Sequence, residues 1–390
     1  MPADPLKSIT ILGATGSIGD STLNLIRQHP QKFKVHALTA HKNVRKLAAL
    51  AEEFQPEKIV IADETLFQEN QALFTRYKGE CLSGKEAIKK VAAEGDLIVA
   101  AIVGAAGLEP VLEAVRAGKV IALANKEALV CAGDLIMDEV KAYGATLLPV
   151  DSEHNAIYQV FDFERSESVS KLTLTASGGP FLTRDLNSFS SITPEEAVAH
   201  PNWDMGSKIS VDSATMMNKG LELIEAYHLF PIEVDQLDVI IHPQSVIHST
   251  VEYRDGSVLA QLGSPDMKIP ISYCLDYPNR IETGAKKLDL AEIVQMTFIK
   301  PCYDRFPCLK LAMDALKIGG AAPTVLNAAN EVAVEAFLHK KIKFTDISKV
   351  VEKCLERSDM KAPQSIANLL EIDEKARITT SSLLTELRMD

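Results

Sequence analysis

Positive charge is scarce in this chain. Its 41 Lys+Arg face 53 Asp+Glu, giving a net charge of −12 and a pI near 5.3. That balance argues against nucleic acid or an anionic membrane as partner, so an anionic ligand would need a local basic pocket. Long apolar runs are missing too: none reaches membrane-spanning length. The start, Met1-Pro-Ala-Asp-Pro-Leu-Lys7, lacks the apolar core of a secretory signal. We therefore expect no membrane association and a cytoplasmic location. Cysteine pairs are absent as well. The six cysteines, Cys81, Cys131, Cys274, Cys302, Cys308 and Cys354, are scattered, with only Cys302 and Cys308 close together. Scattered thiols fit small core residues in a reducing compartment better than disulfides or a metal cluster. Tryptophan occurs once, at Trp203, and no repeats or low-complexity segments appear.

What is present is an ordinary globular composition, 46% hydrophobic and 24% charged, over a length that suits about two or three domains. Ser8-Ile-Thr-Ile-Leu12 reads as a buried strand, Gly13-Ala-Thr-Gly16-Ser-Ile-Gly19 follows at once, and Asp20 to Arg27 looks helical. Strand, glycine turn and helix form the context of a dinucleotide fingerprint, here spaced GxxGxxG; a tight turn without a ligand would look similar. After the next strand, where an NAD enzyme carries an acid for the ribose, stands Ala40-His41-Lys42-Asn43, with Arg45 close behind. A carboxylate there would repel a 2′-phosphate, whereas Lys42 and Asn43 can bind one, which favours NADPH. Further apolar runs at 58–62, 96–103 and 119–124 alternate with helical stretches, as in a parallel sheet. Asn125-Lys126-Glu127 closes one such strand at the sheet's carboxyl edge, where ligands of these folds bind. Residues 1–150 thus read as a doubly wound, Rossmann-like α/β domain.

The chain is organised around Ser210-Val-Asp-Ser-Ala-Thr-Met-Met-Asn-Lys-Gly-Leu-Glu222 and Asp151-Ser-Glu153. Lys208 to Val211 looks like a short strand, and Asp212 and Ser213 are helix-capping types. A helix starting there would turn its N–H groups and the Ser213 hydroxyl toward an anion, with Lys219 in the second turn. Asn218, Lys219 and Glu222 share one helix face. After the apolar strand 146–150, Asp151 and Glu153 would point the same way in extended chain. With Glu222 they would offer three hard oxygen ligands suited to Mg²⁺ or Mn²⁺. By spacing alone they could equally be solvated acids. Ala176-Ser177-Gly178-Gly179-Pro180 is a turn or a small phosphate nest. His200-Pro-Asn-Trp203-Asp-Met205-Gly206-Ser207 is a Gly/Pro/Asn-rich loop, expected to act as a lid over 200–208 anchored by Trp203. Arg254-Asp-Gly256 between alternating runs signals a hairpin, whose strands are good self-association edges. We expect an α+β catalytic domain at 151–285, a linker at 286–311 and a helical bundle at 312–390. Helices are predicted at Lys310–Ile318, Thr324–Leu338, Asp346–Leu355 and Gln364–Ala376, without chemistry of their own.

The blocks GATGSIG, ALANKEALV, PVDSEH, TASGGPF, HPNWDMGSKISVDSATMMNKGLELIEA, HPQSVIHS and GSPDM occur in the order seen in the 1-deoxy-D-xylulose 5-phosphate reductoisomerase family, which the chain resembles over about residues 8–285. The resemblance implies NADPH-dependent conversion of 1-deoxy-D-xylulose 5-phosphate to 2-C-methyl-D-erythritol 4-phosphate, in non-mevalonate isoprenoid synthesis. It assigns Asp151, Glu153 and Glu222 to the divalent metal, and Ser177, Ser213, Asn218 and Lys219 to the substrate phosphate. Ser152, Lys126 and His200 would touch the sugar. Thr15, Gly16, Ser17, Ile18, Lys42, Asn43, Asn125, Glu127 and Gly206 match NADPH contacts, with His41 beside them. Trp203, Met205, Ser245, His248, Pro265 and Met267 match lid and pocket walls. The implied catalytic set is Lys126, Asp151, Glu153, His200 and Glu222, in an expected homodimer whose partner molecule is a small sugar phosphate. Ala14 departs harmlessly from the glycine pattern; Ser207 stands where the family often carries Arg, which bears on NADPH affinity. The implied chemistry agrees with the residues: rearranging a phosphorylated hydroxyketone needs a Lewis acid on its oxygens, and the resulting aldehyde then needs hydride. Rival readings are an NADPH dehydrogenase of the aspartate-semialdehyde or homoserine type, and a non-enzymatic NADPH sensor. The aspartate-semialdehyde type would need a cysteine nucleophile in a fitting site, and none of the six cysteines lies in the motif blocks; the sensor has no use for the acid trio.

Overall fold

Short runs of Ile, Val, Leu and Ala with no polar side become the strands of a sheet buried on both faces. These are β1 (Lys7–Leu12), β2 (Phe33–Ala40), β3 (Lys58–Ile61), β4 (Glu80–Ser83), β5 (Leu97–Ala100), β6 (Val120–Leu123) and β7 (Thr146–Pro149). The structure, a computed structural model described for residues 5–199 and 206–387, pairs them in the order β4-β3-β2-β1-β5-β6-β7. Every pairing is parallel. From β1 the chain builds outward to β4, then returns to β5 on the other side of β1. The crevice at the carboxyl ends of β1 and β5 is thus the switch point where such sheets bind ligands. Ile9, Ile11, Val60, Ile98 and Val99 are fully buried there, each contributing about 1.5–3 kcal/mol by leaving water. Together with Asp266–Lys286, this sheet and its helices make one packed unit, Met1–Ala128, Ile136–Asn155 and Asp266–Lys286. Helix Lys268–Asp276 is tied in by Lys7 Nζ to the Leu275 carbonyl at 2.8 Å and by Lys32 to Asp276 at 2.7 Å.

The second unit, Leu129–Leu135, Ala156–Pro265 and Lys287–Asp390, is built on a four-stranded sheet. Its strands are β8 (Val169–Ala176), β9 (Leu237–Ile241), β10 (Ile247–Tyr253) and β11 (Val258–Leu262), in the order β11-β10-β8-β9. β8 and β9 run parallel, the other pairs antiparallel. The Asp-Gly signal closes the β10–β11 hairpin as expected, with Tyr253 N–H donating to Ser257 O at 2.8 Å. Leu172, Leu174 and Val251 face helices Ser207–Thr215 and Met217–Leu229 in one apolar core, which continues into the tail. Tail helices run Pro307–Ile318, Ala322–Leu338, Asp346–Arg357 and Ile366–Glu386, the last reaching ten residues beyond the expected Ala376. Among the described residues, no helix is long and apolar enough to cross a membrane.

Candidate active site

In the first unit the glycine turn leaves β1 with Gly13 at φ +86, and a side chain there would meet the Ala101 carbonyl at 2.6 Å. Only glycine fits. Gly16 caps helix Ser17–Gln28 with no side-chain hydrogen bond at that cap, so Ser17 and Ile18 open the helix with backbone N–H groups suited to a phosphate. Lys46, which sequence reasoning missed, fastens this turn by donating to the Thr15 carbonyl at 3.0 Å and pairing with Asp20 at 2.6 Å. Its partners lie far back in sequence, so spacing gave no signal. His41, Lys42 and Asn43 are exposed past β2, and no acid stands there. Asn43 also caps helix Val44–Phe54, accepting from Lys46 N–H at 3.2 Å.

Asn125 is 2% exposed and its amide is fully engaged. It accepts from Ala128 N–H at 2.7 Å and donates to the carbonyls of Gly104, at 2.9 Å, and Ile102. Its side chain therefore locks the loop after β5 to the start of helix Lys126–Tyr143, which sets Lys126 and Glu127 in the first turn. Both are buried. Lys126 Nζ reaches Asp151 Oδ2 at 2.5 Å.

Asp151 and Glu153 are not in extended chain, as spacing suggested. Helix Ser152–Val160 begins directly after β7, with Glu153 in its first turn. Asp151 O accepts from Asn155 N–H at 2.8 Å, Glu153 N–H approaches Asp151 Oδ1 at 3.4 Å, and Ser152 Oγ donates to Glu153 Oε2 at 2.6 Å. A helix N-terminus favours negative charge, so the fold tolerates these acids side by side. Asn155 then anchors the turn by donating to the Pro149 carbonyl at 2.8 Å.

In the second unit, Lys208 to Val211 is helix rather than strand. Gly206 caps helix Ser207–Thr215, and Ser210 Oγ donates back to the Gly206 carbonyl at 3.1 Å. Four residues of alternating polarity cannot separate the two periods, and packing decided. Ser213 accordingly sits in the last turn of that helix, not at an N-terminus. Met216, at φ +59, turns the chain into helix Met217–Leu229. Asn218 and Lys219 occupy its first turn, and both side chains donate to the Glu222 carboxylate. Lys219 is 4% and Glu222 1% exposed. A buried acid of this kind persists only when ionically paired and hydrogen-bonded.

The Ser177 turn meets this elbow from β8. Gly178 and Gly179 both have positive φ, and a side chain at Gly179 would lie 2.8 Å from the Ser213 carbonyl. Gly179 N–H donates to Ser177 Oγ at 3.1 Å. Ser177 and Ser213 are thereby held on adjoining backbone, beside the first turn that carries Asn218 and Lys219. His200, Trp203 and Met205, with most of the expected lid, lie outside the described residues. Ser245 is buried at φ +51, His248 is buried at the start of β10, Pro265 follows β11 and Met267 caps helix Lys268–Asp276. His242, not singled out from sequence, fastens the turn that leads into β10: Nε2 accepts from Val246 N–H at 3.2 Å, which leaves Nδ1–H for the Thr297 carbonyl at 3.0 Å.

Two of the buried cysteines, Cys274 and Cys308, are far from activated. Burial pushes the Cys308 thiol up to about 12 and raises Cys274 further, the opposite of an activated thiolate. Neither thiol therefore suits the nucleophile that the semialdehyde-type rival requires.

The fold and these side chains define a class: a dinucleotide-binding α/β enzyme whose second unit buries a carboxylate, Glu222, against Lys219 and Asn218. Three family models match in turn: 1-deoxy-D-xylulose 5-phosphate reductoisomerase over residues 9–133, its C-terminal domain over 147–230, and the DXP reductoisomerase C-terminal domain over 262–379. The Zymomonas mobilis 1-deoxy-D-xylulose 5-phosphate reductoisomerase is 52% identical over 382 residues, 98% of each chain. That of Cupriavidus pinatubonensis is 55% identical over 389 residues, again 98% of each. Among solved structures, the Z. mobilis enzyme in complex with NADPH superposes with a TM-score of 0.93 at 50% identity, over 97% of this chain and 99% of that one. A DOX-P reductoisomerase in complex with NADPH, fosmidomycin and magnesium gives 0.94 at 48% identity, over 98% and 99%. The chain belongs to the 1-deoxy-D-xylulose 5-phosphate reductoisomerase family.

Proposed function

We propose that this protein converts 1-deoxy-D-xylulose 5-phosphate to 2-C-methyl-D-erythritol 4-phosphate, using NADPH and a divalent cation, Mg²⁺ or Mn²⁺. The observation that carries the reading is two amine-balanced acids, the largely enclosed Asp151 with Lys126 and the buried Glu222 with Lys219, in a chain covered to 98% by its relatives. The residues fit both groups. Carboxylates of Asp151, Glu153 and Glu222 are the hard-oxygen donors these cations take, and we assign them as ligands of one ion. The Gly13–Gly16 turn and the acid-free end of β2, with His41, Lys42 and Asn43, suit a 2′-phosphorylated dinucleotide.

When bound, the cation supplies Lewis-acid polarisation of the ketone and neighbouring hydroxyl, and NADPH supplies the hydride. The chain's own residues do the positioning. Lys219 and Asn218, with the Ser177 and Ser213 hydroxyls, grip the phosphate, giving binding energy remote from the reacting carbons. We assign Lys126 and Ser152 to hold the sugar, and Glu153, whose Oε2 accepts a hydrogen bond from the Ser152 hydroxyl, to hold a substrate hydroxyl proton. By the resemblance we assign His200 and Trp203, which lie outside the described residues, to the sugar, and Asn125, Glu127 and Gly206 to NADPH. We assign residues 1–150 to NADPH binding, 151–285 to catalysis with a lid at 200–208, 286–311 to a linker and 312–390 to a bundle. A cytoplasmic homodimer is part of the reading, supported by six unbridged cysteines and by the exposed Val258 and Leu259 on edge strand β11.

The test is NADPH oxidation by 1-deoxy-D-xylulose 5-phosphate with purified protein, abolished by a chelator and restored by Mg²⁺ or Mn²⁺. Turnover that ignores the chelator would sink the metal assignment, and no turnover with excess metal would sink the function.

A further inference from the structure

The proposed phosphate grip depends on an elbow of one residue. Ser213 ends helix Ser207–Thr215, Asn218 and Lys219 begin helix Met217–Leu229, and Met216 alone joins them in the left-handed region. A side chain other than glycine resists that conformation, so the surroundings must impose it. Two contacts do so locally: Thr215 Oγ1 donates to the Asp212 carbonyl at 3.2 Å and accepts from Met217 N–H at 3.3 Å.

Asp212 itself is 1% exposed. Its Oδ2 pairs with Lys208 at 2.9 Å, one helical turn back, and its Oδ1 accepts from Asn330 Nδ2 at 2.8 Å. Asn330 lies in tail helix Ala322–Leu338 and is fully buried. Because a carboxylate only accepts, the amide must turn its nitrogen to Asp212. Its oxygen then has no hydrogen-bond partner among the described residues. A buried amide kept with half its capacity unmet is costly, and a leucine of similar size would avoid the cost. Among the described residues, the side-chain hydrogen bond that this amide makes is the one to Asp212.

We propose that Asp212, held by Lys208 and Asn330, is a positioning residue for the substrate phosphate, fixing the distance between Ser213 and the Asn218–Lys219 turn. This rests on the function proposed above. The tail bundle, where the sequence offered no chemistry, thereby contributes Asn330 to the site's geometry without touching substrate.

The experiment is steady-state kinetics on full-length Asn330→Ala, Asp212→Asn and their double variant, with thermal midpoints and with inorganic phosphate as a competitive probe. Asn330→Ala is expected to raise the KM for 1-deoxy-D-xylulose 5-phosphate about tenfold and weaken phosphate inhibition in step, leaving the KM for NADPH within about twofold. Asn330→Ser, which keeps a donor, should recover part of that loss, and the double variant should be no worse than Asp212→Asn. A folded Asn330→Ala with wild-type substrate KM and phosphate inhibition overturns the proposal, as does an equal rise in both KM values. If Asp212→Asn does not fold, the Asn330 variants alone decide. Wild-type protein that fails to turn over the substrate defeats the functional reading; active wild type with unmoved variants defeats only this inference.

Discussion

The turns at Gly13–Gly16 and Ser177–Gly179 follow strands and use glycine at positive φ, yet they are completed in different ways. The first adds distant partners to a local cap: Gly16 caps the very next helix, while the Ala101 carbonyl, the Thr39 hydroxyl and Lys46 close round the turn. The second is finished by residues more than thirty positions on, where Gly179 lies against the Ser213 carbonyl. One is a local motif and can be read from a short string. The other is a tertiary contact that happens to contain glycines, and the string alone looks like any turn. The glycine turn after β1 therefore announces itself in a short string, while the Ser177 turn is recognised only once the chain has folded.

That contrast can be broken at several points. The largest effect is expected from Glu222→Gln, which should lower kcat by roughly a thousandfold while NADPH binding, followed by fluorescence titration, stays nearly intact. Equal loss of both would mean the two ends are not separable. Next comes Gly179→Ala. Positive φ and the 2.8 Å approach to Ser213 predict about 1–3 kcal/mol of strain. It should appear as a lowered Tm and a raised KM for the sugar phosphate but not for NADPH. Lys42→Ala should do the reverse, raising the KM for NADPH about tenfold with the sugar-phosphate KM unchanged in the same assay.

The smallest effect is a pH dependence within the second unit. His228 lies over Gly133, where an added Cβ would meet its ring at 2.2 Å. Burial lowers its pKa from the ordinary 6.5, only partly opposed by Asp134 at 3.5 Å. An unfolded chain takes up this proton more readily than the folded one, so the stability involved is present above pH 6.5 and is lost as pH falls below it. Thermal unfolding of His228→Gln should show a shallower loss on acidification than wild type; identical slopes would assign the acid sensitivity elsewhere.

Much of the fold was legible because its signals are local: doubly buried Ile/Val runs, the Asp-Gly hairpin, and amphipathic tail helices whose starts fell within three residues of those observed. Asn218, Lys219 and Glu222 were legible for the same reason, since helical spacing alone puts them on one face. What failed was whatever tertiary contact decides. Lys208 to Val211 became helix because Gly206 could cap it and the core accepted Val211. Asp151 and Glu153 joined a helix start that no sequence stop signal had announced. Lys46 and His242 act on backbone carbonyls, which leave no pattern in side-chain types. Asn330 stands 118 positions from the acid it serves, so nothing near either residue announces the other.

The Asn330 contact has a practical consequence for anyone dissecting this enzyme. A fragment cut off before the tail would retain every residue assigned to substrate, metal and cofactor, and would look complete on paper. It would also take the Asn330 amide from Asp212 and remove the tail's part of the apolar core around helices Ser207–Thr215 and Met217–Leu229. Loss of activity on truncation, or in a chimera with a foreign tail, would then report a collapsed framework rather than a missing reactive group.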